Sequence, residues 1–115
     1  MIKQGDIVVI DFDPSRGSEI KKRRPALVLS KDSYNKMTSL LIVCPITSNS
    51  QNRPFLVPIE SVGLDKNSQV NTMQVYSFDK TRRGNRNIQV IGHVEEAEFL
   101  AVAQRFLLNF DFPFI

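Results

Sequence analysis

The sequence has few of the residues on which metal sites, disulfides and membrane spans depend. Its 115 residues include one cysteine, Cys44, one histidine, His93, and no tryptophan. One cysteine cannot form an internal disulfide, and one cysteine with one histidine cannot supply an ordinary structural zinc site. Apolar runs reach only four or five residues, and no signal peptide follows Met1. We therefore expect a single cytoplasmic domain over residues 1–115, without a metal, a cofactor or a disulfide.

The charge of the chain is concentrated in two segments. Lysine and arginine outnumber the acidic residues by 15 to 12, which gives a net charge of +3. Residues 16–24 hold five basic residues and one acid, and residues 80–86 hold four basic residues and no acid. Together these segments carry +8, so the other 99 residues carry −5. Two such segments favour a polyanionic partner, although charged loops also serve simply to keep a surface solvated.

The pattern of apolar residues predicts a mainly β fold. Strands are expected at residues 7–12, 26–29, 39–46, 55–59, 70–78 and 87–94. Prolines around and within residues 55–59 indicate an edge strand, and Pro45 is expected to mark a bulge or the end of the third strand. The polar loop of residues 13–24 is long for a compact domain, and loops of that kind are often functional.

The hydrophobic period changes near residue 95. Apolar side chains then recur with helical spacing at Phe99, Val102, Ala103, Phe106, Leu107 and Phe110. Acidic residues in the first turn suit the helix dipole, whereas Val94 is a poor N-cap. The sequence predicts a helix from about Glu95 to Asn109, packed on a bent sheet or partly open barrel of five to seven short strands.

Four blocks near the N-terminus resemble the opening of the MazF/PemK-type toxins of bacterial toxin–antitoxin modules. They are Gly5-Asp6-Ile7-Val8, Asp11-Phe12-Asp13-Pro14, Gly17-Ser18-Glu19 and Arg24-Pro25-Ala26-Leu27-Val28-Leu29-Ser30. Later segments that resemble the family are Pro45-Ile46-Thr47-Ser48, Gln74–Lys80 and Gly92-His93-Val94 with the helix behind it. The resemblance covers nearly the whole chain and is tightest over residues 5–30.

This resemblance implies a metal-free endoribonuclease with an SH3-like barrel and a C-terminal helix. Members of the family cut single-stranded messenger RNA at short sequences and so arrest growth. They work as homodimers, and a partner antitoxin neutralises them by occupying the RNA site. The same fold also occurs in a related toxin family that poisons DNA gyrase, so a non-catalytic module that binds nucleic acid or a protein target is the alternative.

Metal-free cleavage of RNA makes definite demands on a site. The neighbouring 2′-hydroxyl attacks the phosphate, and the products carry a 2′,3′-cyclic phosphate and a 5′-hydroxyl. The site therefore needs a base, donors for the negative phosphorane and a proton source for the leaving oxygen. Because the chain has one histidine, a pair of histidines cannot do this work.

Within the matched motifs, Arg24, Thr47 and Glu19 are the candidate catalytic residues. Arg24 carries a permanent charge and can donate to two phosphate oxygens, Thr47 offers a hydroxyl at a strand end, and Glu19 is the nearest plausible base. Each has a plainer interpretation, as a solvated loop charge, a turn residue and the ion-pair partner of Lys22 or Arg23. Cys44 is expected to be a buried apolar residue and His93 a structural one.

The chain departs from the family pattern beside Gln74. Met73 stands where many relatives carry an acidic residue, which leaves Glu19 or Asp79 as the base. Tyr76 stands where relatives have arginine, and its ring suits either stacking on an RNA base or covering the sheet. The residues expected to contact RNA are Arg16, Lys21, Lys22, Arg23, Ser48, Gln74, Tyr76, Asp79, Lys80 and Arg82.

The C-terminal tail gives the expected homodimer some independent support. Four of its last six residues are bulky and apolar, namely Phe110, Phe112, Phe114 and Ile115. Such side chains are costly to leave in water. We expect them to pack on the barrel or on a second subunit.

Overall fold

The computed structural model describes residues 1–13, 22–48 and 51–113. Within these ranges the chain forms seven strands, two α-helices and one turn of 3₁₀ helix. The elements are β1 (Asp6–Asp13), β2 (Lys22–Val28), α1 (Asp32–Met37), β3 (Leu40–Ser48), β4 (Leu56–Pro58), β5 (Ser68–Asn71), β6 (Tyr76–Asp79), the 3₁₀ helix (Arg82–Gly84), β7 (Gln89–His93) and α2 (Glu96–Leu107). The predicted mainly β architecture with a C-terminal helix is confirmed.

The strands form one antiparallel sheet in the order β4-β5-β3-β2-β1-β7, with β6 also paired to β3. One edge of β3 pairs with β2, while its other edge pairs first with β6 and, from Ile46 onward, with β5. Pro45 lies at this change of neighbour, opposite Ala26 of β2, and β3 continues to Ser48. β4 lies at the edge of the sheet, as its prolines predict.

Side-chain alternation along the strands builds a core on each face of the sheet. On one face, Ile7 and Leu27 pack with Val102 of α2, and Phe99 and Phe106 cover that cluster. On the other face, the buried cluster consists of Val8, Ile10, Phe12, Ala26, Val28, Leu41, Val43 and Phe78. Because both faces are covered there, the buried stretches of the first three strands are largely apolar, and in β2 such a stretch is only Ala26–Val28.

The predicted strand over residues 70–78 is wrong, because a turn divides it into β5 and β6. At this turn the side-chain oxygen of Asn71 accepts a hydrogen bond of 3.0 Å from the backbone N–H of Met73. The Thr72 hydroxyl donates to the carbonyl of Phe55 over 2.6 Å. An asparagine that bonds the backbone two residues later favours a turn over an extended strand.

Helix α1 is not predicted by the sequence pattern. It is six residues long and polar, so it has no apolar stripe to reveal it. It is fixed to the N-terminal segment by the Asp32 carboxylate, which accepts a hydrogen bond of 2.8 Å from the backbone N–H of Gln4. The buried Asn35 side chain also donates to the carbonyl of Ser30 over 3.0 Å. Tertiary hydrogen bonds, rather than periodicity, hold this helix in place.

Helix α2 begins one residue later and ends two residues earlier than predicted. Glu95 is its N-cap residue, and the Glu98 carboxylate accepts a hydrogen bond of 3.1 Å from the backbone N–H of Glu95. The helix ends at Leu107, so Phe110 lies beyond it and is 45 % exposed. No helix of the described residues is long and apolar enough to span a membrane.

Candidate active site

Arg24 lies on the second strand, opposite Ile10 of β1. Alternation places it on the same face as Ala26 and Val28, where the guanidinium carbon lies 5.6 Å from the centre of the Phe12 ring. The side chain is half-buried. Among the carboxylates whose side chains the structure describes, none is paired with Arg24. An aromatic face therefore supports its charge, and no described carboxylate neutralises it.

A polar pocket of about 210 Å³ opens beside this guanidinium, and we call it the Arg24 pocket. It is lined by Arg24, Pro45, Thr47, Gln51, Arg53, Phe55, Leu56, Asn71 and Gln74. These residues supply two guanidinium groups, one hydroxyl and three amides, and none of them is acidic. An array of cationic and neutral donors is suited to a phosphate group.

Three residues predicted from the sequence meet in the Arg24 pocket from different elements. Arg24 comes from β2, Thr47 from the end of β3, and Gln74 from the turn before β6. Ser48, the neighbour of Thr47, is exposed, and its hydroxyl donates to the Asp65 carboxylate over 2.7 Å. Thr47 therefore lines the pocket, while the Ser48 hydroxyl is engaged outside it.

Sequence reasoning missed three residues of the Arg24 pocket, namely Gln51, Arg53 and Asn71. Gln51 and Arg53 belong to a segment that the sequence indicates only as a polar loop, and the Arg53 side chain donates to the Gln51 amide oxygen over 3.1 Å. Asn71 ends β5 and reaches the pocket because β5 pairs with the end of β3. The one available signal was an arginine shortly after the matched Thr47-Ser48 motif.

Tyr76 packs within an aromatic cluster rather than standing free on the surface. Its ring centre lies 5.0 Å from that of Phe12 in an edge-to-face arrangement, and 5.5 Å from that of Phe78 in a stacked one. Phe12 and Phe78 are 5.1 Å apart. The tyrosine is half-buried, so it covers part of the sheet. Its accessible part lies beside Phe12, the ring that contacts the Arg24 guanidinium.

The other predicted residues that the structure describes lie outside the Arg24 pocket. Arg23 donates to the Asp11 carboxylate over 3.0 Å and to the carbonyl of Asn87 over 2.7 Å, and Lys22 is exposed at the start of β2. Lys80 and Arg82 line a separate pocket. The predicted residues Arg16, Glu19 and Lys21 lie outside the described residues.

Asp79 ends β6 and serves the turn that follows. Its carboxylate accepts hydrogen bonds from the hydroxyl and the backbone N–H of Thr81. These hydrogen bonds hold the pKa of the Asp79 carboxyl below its ordinary value. A carboxylate that is already satisfied in this way, and that does not line the Arg24 pocket, is poorly suited to accept a proton from RNA.

Neither the cysteine nor the histidine belongs to the pocket. Burial raises the pKa of the Cys44 thiol to about 12, which excludes a thiolate nucleophile at neutral pH. The His93 Nδ1 atom lies 2.8 Å from the Asp6 carboxylate, on β7 beside Gly5. Within the part of the chain that the structure describes, no three acidic, histidine or cysteine side chains are grouped so that they hold a metal ion.

The fold and the pocket together define a small β-sheet protein with a pocket of arginine, threonine and amide side chains, a donor set that suits a phosphate group. Residues 3–110 match the family of PemK-like, MazF-like toxins of type II toxin–antitoxin systems. The chain therefore belongs to this family, as the sequence motifs predict.

Similar proteins agree with this membership. The endoribonuclease toxin MazF of Escherichia coli strain K12 is 36 % identical over 83 residues, which cover 70 % of this chain and 75 % of the relative. The endoribonuclease MazF9 of Mycobacterium tuberculosis is 31 % identical over 119 residues, which cover 96 % and 98 % of the two chains. A crystal structure of MazE–MazF from Deinococcus radiodurans matches with 29 % identity and a TM-score of 0.76, over 96 % of this chain and 97 % of that one. The predicted fold and the class of endoribonuclease toxin are confirmed.

Proposed function

We propose that this toxin cleaves single-stranded RNA at the Arg24 pocket by attack of the 2′-hydroxyl, without a metal ion. The observation that supports this most is the meeting of Arg24, Thr47 and Gln74 in one pocket from three separate elements. A second arginine, Arg53, lines the same pocket, and none of the lining residues that the structure describes is acidic. Such a pocket favours the doubly charged phosphorane over the singly charged phosphodiester, which is the condition for catalysis.

Each of these side chains has a distinct role in the proposed reaction. Arg24 donates to the phosphorane oxygens, and its contact with the Phe12 ring limits where the guanidinium moves. The Thr47 hydroxyl donates to a phosphate oxygen or orients the 2′-hydroxyl. The Gln74 and Asn71 amides carry both donors and acceptors, so they suit the edge of an unstacked base.

Glu19 remains the proposed base that removes the proton from the 2′-hydroxyl, and water donates a proton to the leaving 5′-oxygen as its bond to phosphorus breaks. The predicted alternative, Asp79, is less suited to this role because Thr81 already satisfies its carboxylate. A permanently charged guanidinium is a poor proton donor, so electrostatic stabilisation is the primary role of Arg24.

The biological setting follows from the family. We propose a single-domain toxin that acts in the bacterial cytoplasm, arrests growth and is neutralised by its cognate antitoxin. The matching structure from Deinococcus radiodurans is of MazE–MazF, which supports a protein partner for this chain too. We also propose a homodimer, and Phe110 and Phe112, which remain 45 % and 41 % exposed on this chain, are apolar side chains that a second subunit would cover.

The cleavage reaction is tested with purified protein and a long single-stranded RNA in buffer containing EDTA. The wild type is expected to cut at a limited set of sequences and to leave 2′,3′-cyclic phosphate and 5′-hydroxyl ends. Thr47→Val keeps the shape of the side chain but removes its hydroxyl, and we expect it to lower kcat/KM by about tenfold or more. Ser48→Ala is the matched control, because the Ser48 hydroxyl is bonded to Asp65.

Two results contradict the proposal directly. Cleavage that requires added Mg²⁺, or products with 3′-hydroxyl ends, rule out the reaction described here. A wild-type protein that binds RNA tightly but leaves it intact supports the non-catalytic alternative instead.

A further inference from the structure

A second pocket, of about 440 Å³, lies where β6 leads into the 3₁₀ helix. It is lined by three cationic side chains, Lys80, Arg82 and Arg86, together with Thr81, Asn85 and Asn87 and one aliphatic residue. We call it the cationic cradle. It shares no lining residue with the Arg24 pocket, and no acidic side chain of the described residues lines it.

Specific contacts fix the shape of the cationic cradle. The Asp79 carboxylate accepts a hydrogen bond of 2.9 Å from the backbone N–H of Thr81 and another from its hydroxyl. A Cβ atom at Gly84 would lie 2.1 Å from the carbonyl oxygen of Asp79, so the 3₁₀ turn packs against β6 more closely than any other residue allows. Asn85 then ends the turn in the left-handed region, with φ 51°. The loop therefore has a defined structure and is more than a series of charged side chains exposed to solvent.

The cations of the cradle form no ion pair with a described carboxylate, although the charge of Asp79 acts on Lys80 from close by. Lys80 donates to the carbonyl of Thr38, and Arg86 donates to the carbonyls of Phe12 and Asp11 over 2.6 and 3.1 Å. These partners are uncharged main-chain oxygens, so they orient the two side chains without cancelling their charge. Arg82 is exposed and forms no ion pair with a described residue.

A largely buried aromatic cluster lies between the cradle and the Arg24 pocket, and the half-buried Tyr76 is its most accessible ring. The guanidinium carbon of Arg86 lies 4.5 Å from the Phe78 ring, and Phe78 lies 5.1 Å from Phe12. Phe12 in turn carries Arg24 at 5.6 Å, and Tyr76 packs against both rings. Two rings thus lie between the guanidinium groups of Arg86 and Arg24, so a few nucleotides of one strand can reach from one cationic site to the other.

We propose that the cationic cradle is an exosite that binds the phosphodiester backbone of the RNA to one side of the scissile phosphate. Three cations, two of them oriented by main-chain carbonyls, complement successive phosphates, and the guanidinium of Arg82 can donate to two oxygens of one phosphate. The exosite makes the toxin favour long RNA over short RNA that ends near the cut. This inference rests on the proposed endoribonuclease function, which places the scissile phosphate at Arg24.

The test compares a long and a short single-stranded RNA that contain the same mapped cut and differ only in their flanks. A 2′-deoxy nucleotide at the cut prevents cleavage, and fluorescence anisotropy gives the Kd of each RNA over a range of salt concentrations. Arg82→Ala is expected to weaken binding of the long RNA by about threefold to tenfold and to reduce its salt slope by about 0.7. The preference for long RNA is the Kd of the short RNA divided by that of the long one, or kcat/KM of the long cleavable RNA divided by that of the short one. Both ratios are expected to fall by the same factor. The control is Arg105→Ala, which removes an exposed arginine in the last turn of α2.

The possible results separate the exosite from the catalytic proposal. Equal weakening of the long and the short RNA, or no weakening of either, overturns the exosite. Unchanged RNA binding together with weaker neutralisation by the antitoxin overturns it as well, because the cradle then serves a protein partner. If the wild type cuts no RNA, the proposed function fails, but the anisotropy measurement still decides whether the cradle holds the flank of the strand.

Discussion

Arg23 and Arg24 are adjacent in the sequence and have opposite roles in the structure. Arg23 faces Asp11 of β1, donates to its carboxylate over 3.0 Å and is part of the fold. Arg24 faces the other side of the strand, where it has an aromatic ring and an open pocket. Strand alternation alone produces this difference. Among the described residues, one of these two identical charges is paired with a carboxylate and the other is not, so we expect them to differ in function.

The largest expected effect is on catalysis by Arg24→Ala. Removal of a donor aimed at the developing negative charge is expected to lower kcat/KM for RNA by about 10²–10³. The midpoint of urea unfolding is expected to change little, because no described carboxylate loses a partner. If the variant is as active as the wild type per folded molecule, Arg24 takes no part in the reaction.

The second prediction concerns stability, which the substitution Arg23→Ala is expected to lower. This change takes the guanidinium from the Asp11 carboxylate, which is 1 % exposed. We expect the free energy of unfolding to fall by about 1.5–3 kcal/mol, the usual contribution of a hydrogen bond to a charged group. We do not expect a larger loss, because the arginine itself is partly exposed. Urea unfolding measures the loss, and kcat/KM of the folded fraction is expected to stay within about tenfold of the wild type. An unchanged unfolding midpoint with a large loss of activity reverses the assigned roles.

A smaller effect is expected when the support of Arg24 is changed instead of Arg24 itself. Phe12→Leu keeps an apolar side chain in the core but removes the ring on which the guanidinium rests. Loss of a cation–π contact, worth about 0.5–2 kcal/mol, is expected to lower kcat/KM by about twofold to thirtyfold. The double variant with Arg24→Ala tells whether the ring acts through the arginine. If it does, Phe12→Leu has little further effect once Arg24 is gone.

The smallest effect concerns Asp79, whose carboxylate already accepts hydrogen bonds from Thr81. Its pKa is lowered in the folded state by the hydrogen bonds to Thr81, so the ionised carboxylate contributes stability above its unfolded pKa of about 3.8. That contribution is lost as the pH falls through the lower folded pKa. Asp79→Asn is expected to be slightly less stable than the wild type at neutral pH and equally stable in strong acid. Urea unfolding at both pH values checks this, and a difference that grows in acid contradicts it.

The sequence predicts the parts of the fold that periodicity controls. The edge strand around Leu56 and the helix that carries Phe99 and Phe106 follow from apolar spacing and from proline. The turn at Asn71 is missed because its cause is a side-chain hydrogen bond within an otherwise strand-like stretch. Helix α1 is missed because tertiary hydrogen bonds, not an apolar stripe, stabilise it.

The sequence predicts only part of the candidate site, because only some of its residues belong to motifs that a single sequence shows. Arg24, Thr47 and Gln74 belong to motifs that resemble the family, so the sequence identifies them before the fold brings them together. Arg53 and Asn71 reach the pocket through the approach of a loop and the pairing of β5 with β3, which single-sequence patterns do not encode. Only the strand register shows that Arg23 faces the Asp11 carboxylate while Arg24 faces no carboxylate of the described residues.

The most direct test of the central claim is the single-turnover cleavage rate of Arg24→Ala in EDTA, with enough protein to bind all of the RNA. Under these conditions weak binding no longer limits the rate, so the measurement reports on the chemical step. If Arg24 stabilises the phosphorane, the rate falls by about a hundredfold or more while Arg23→Ala cuts near the wild-type rate. If the saturated rate of Arg24→Ala equals that of the wild type, Arg24 only binds RNA, and the catalytic role assigned to it is wrong.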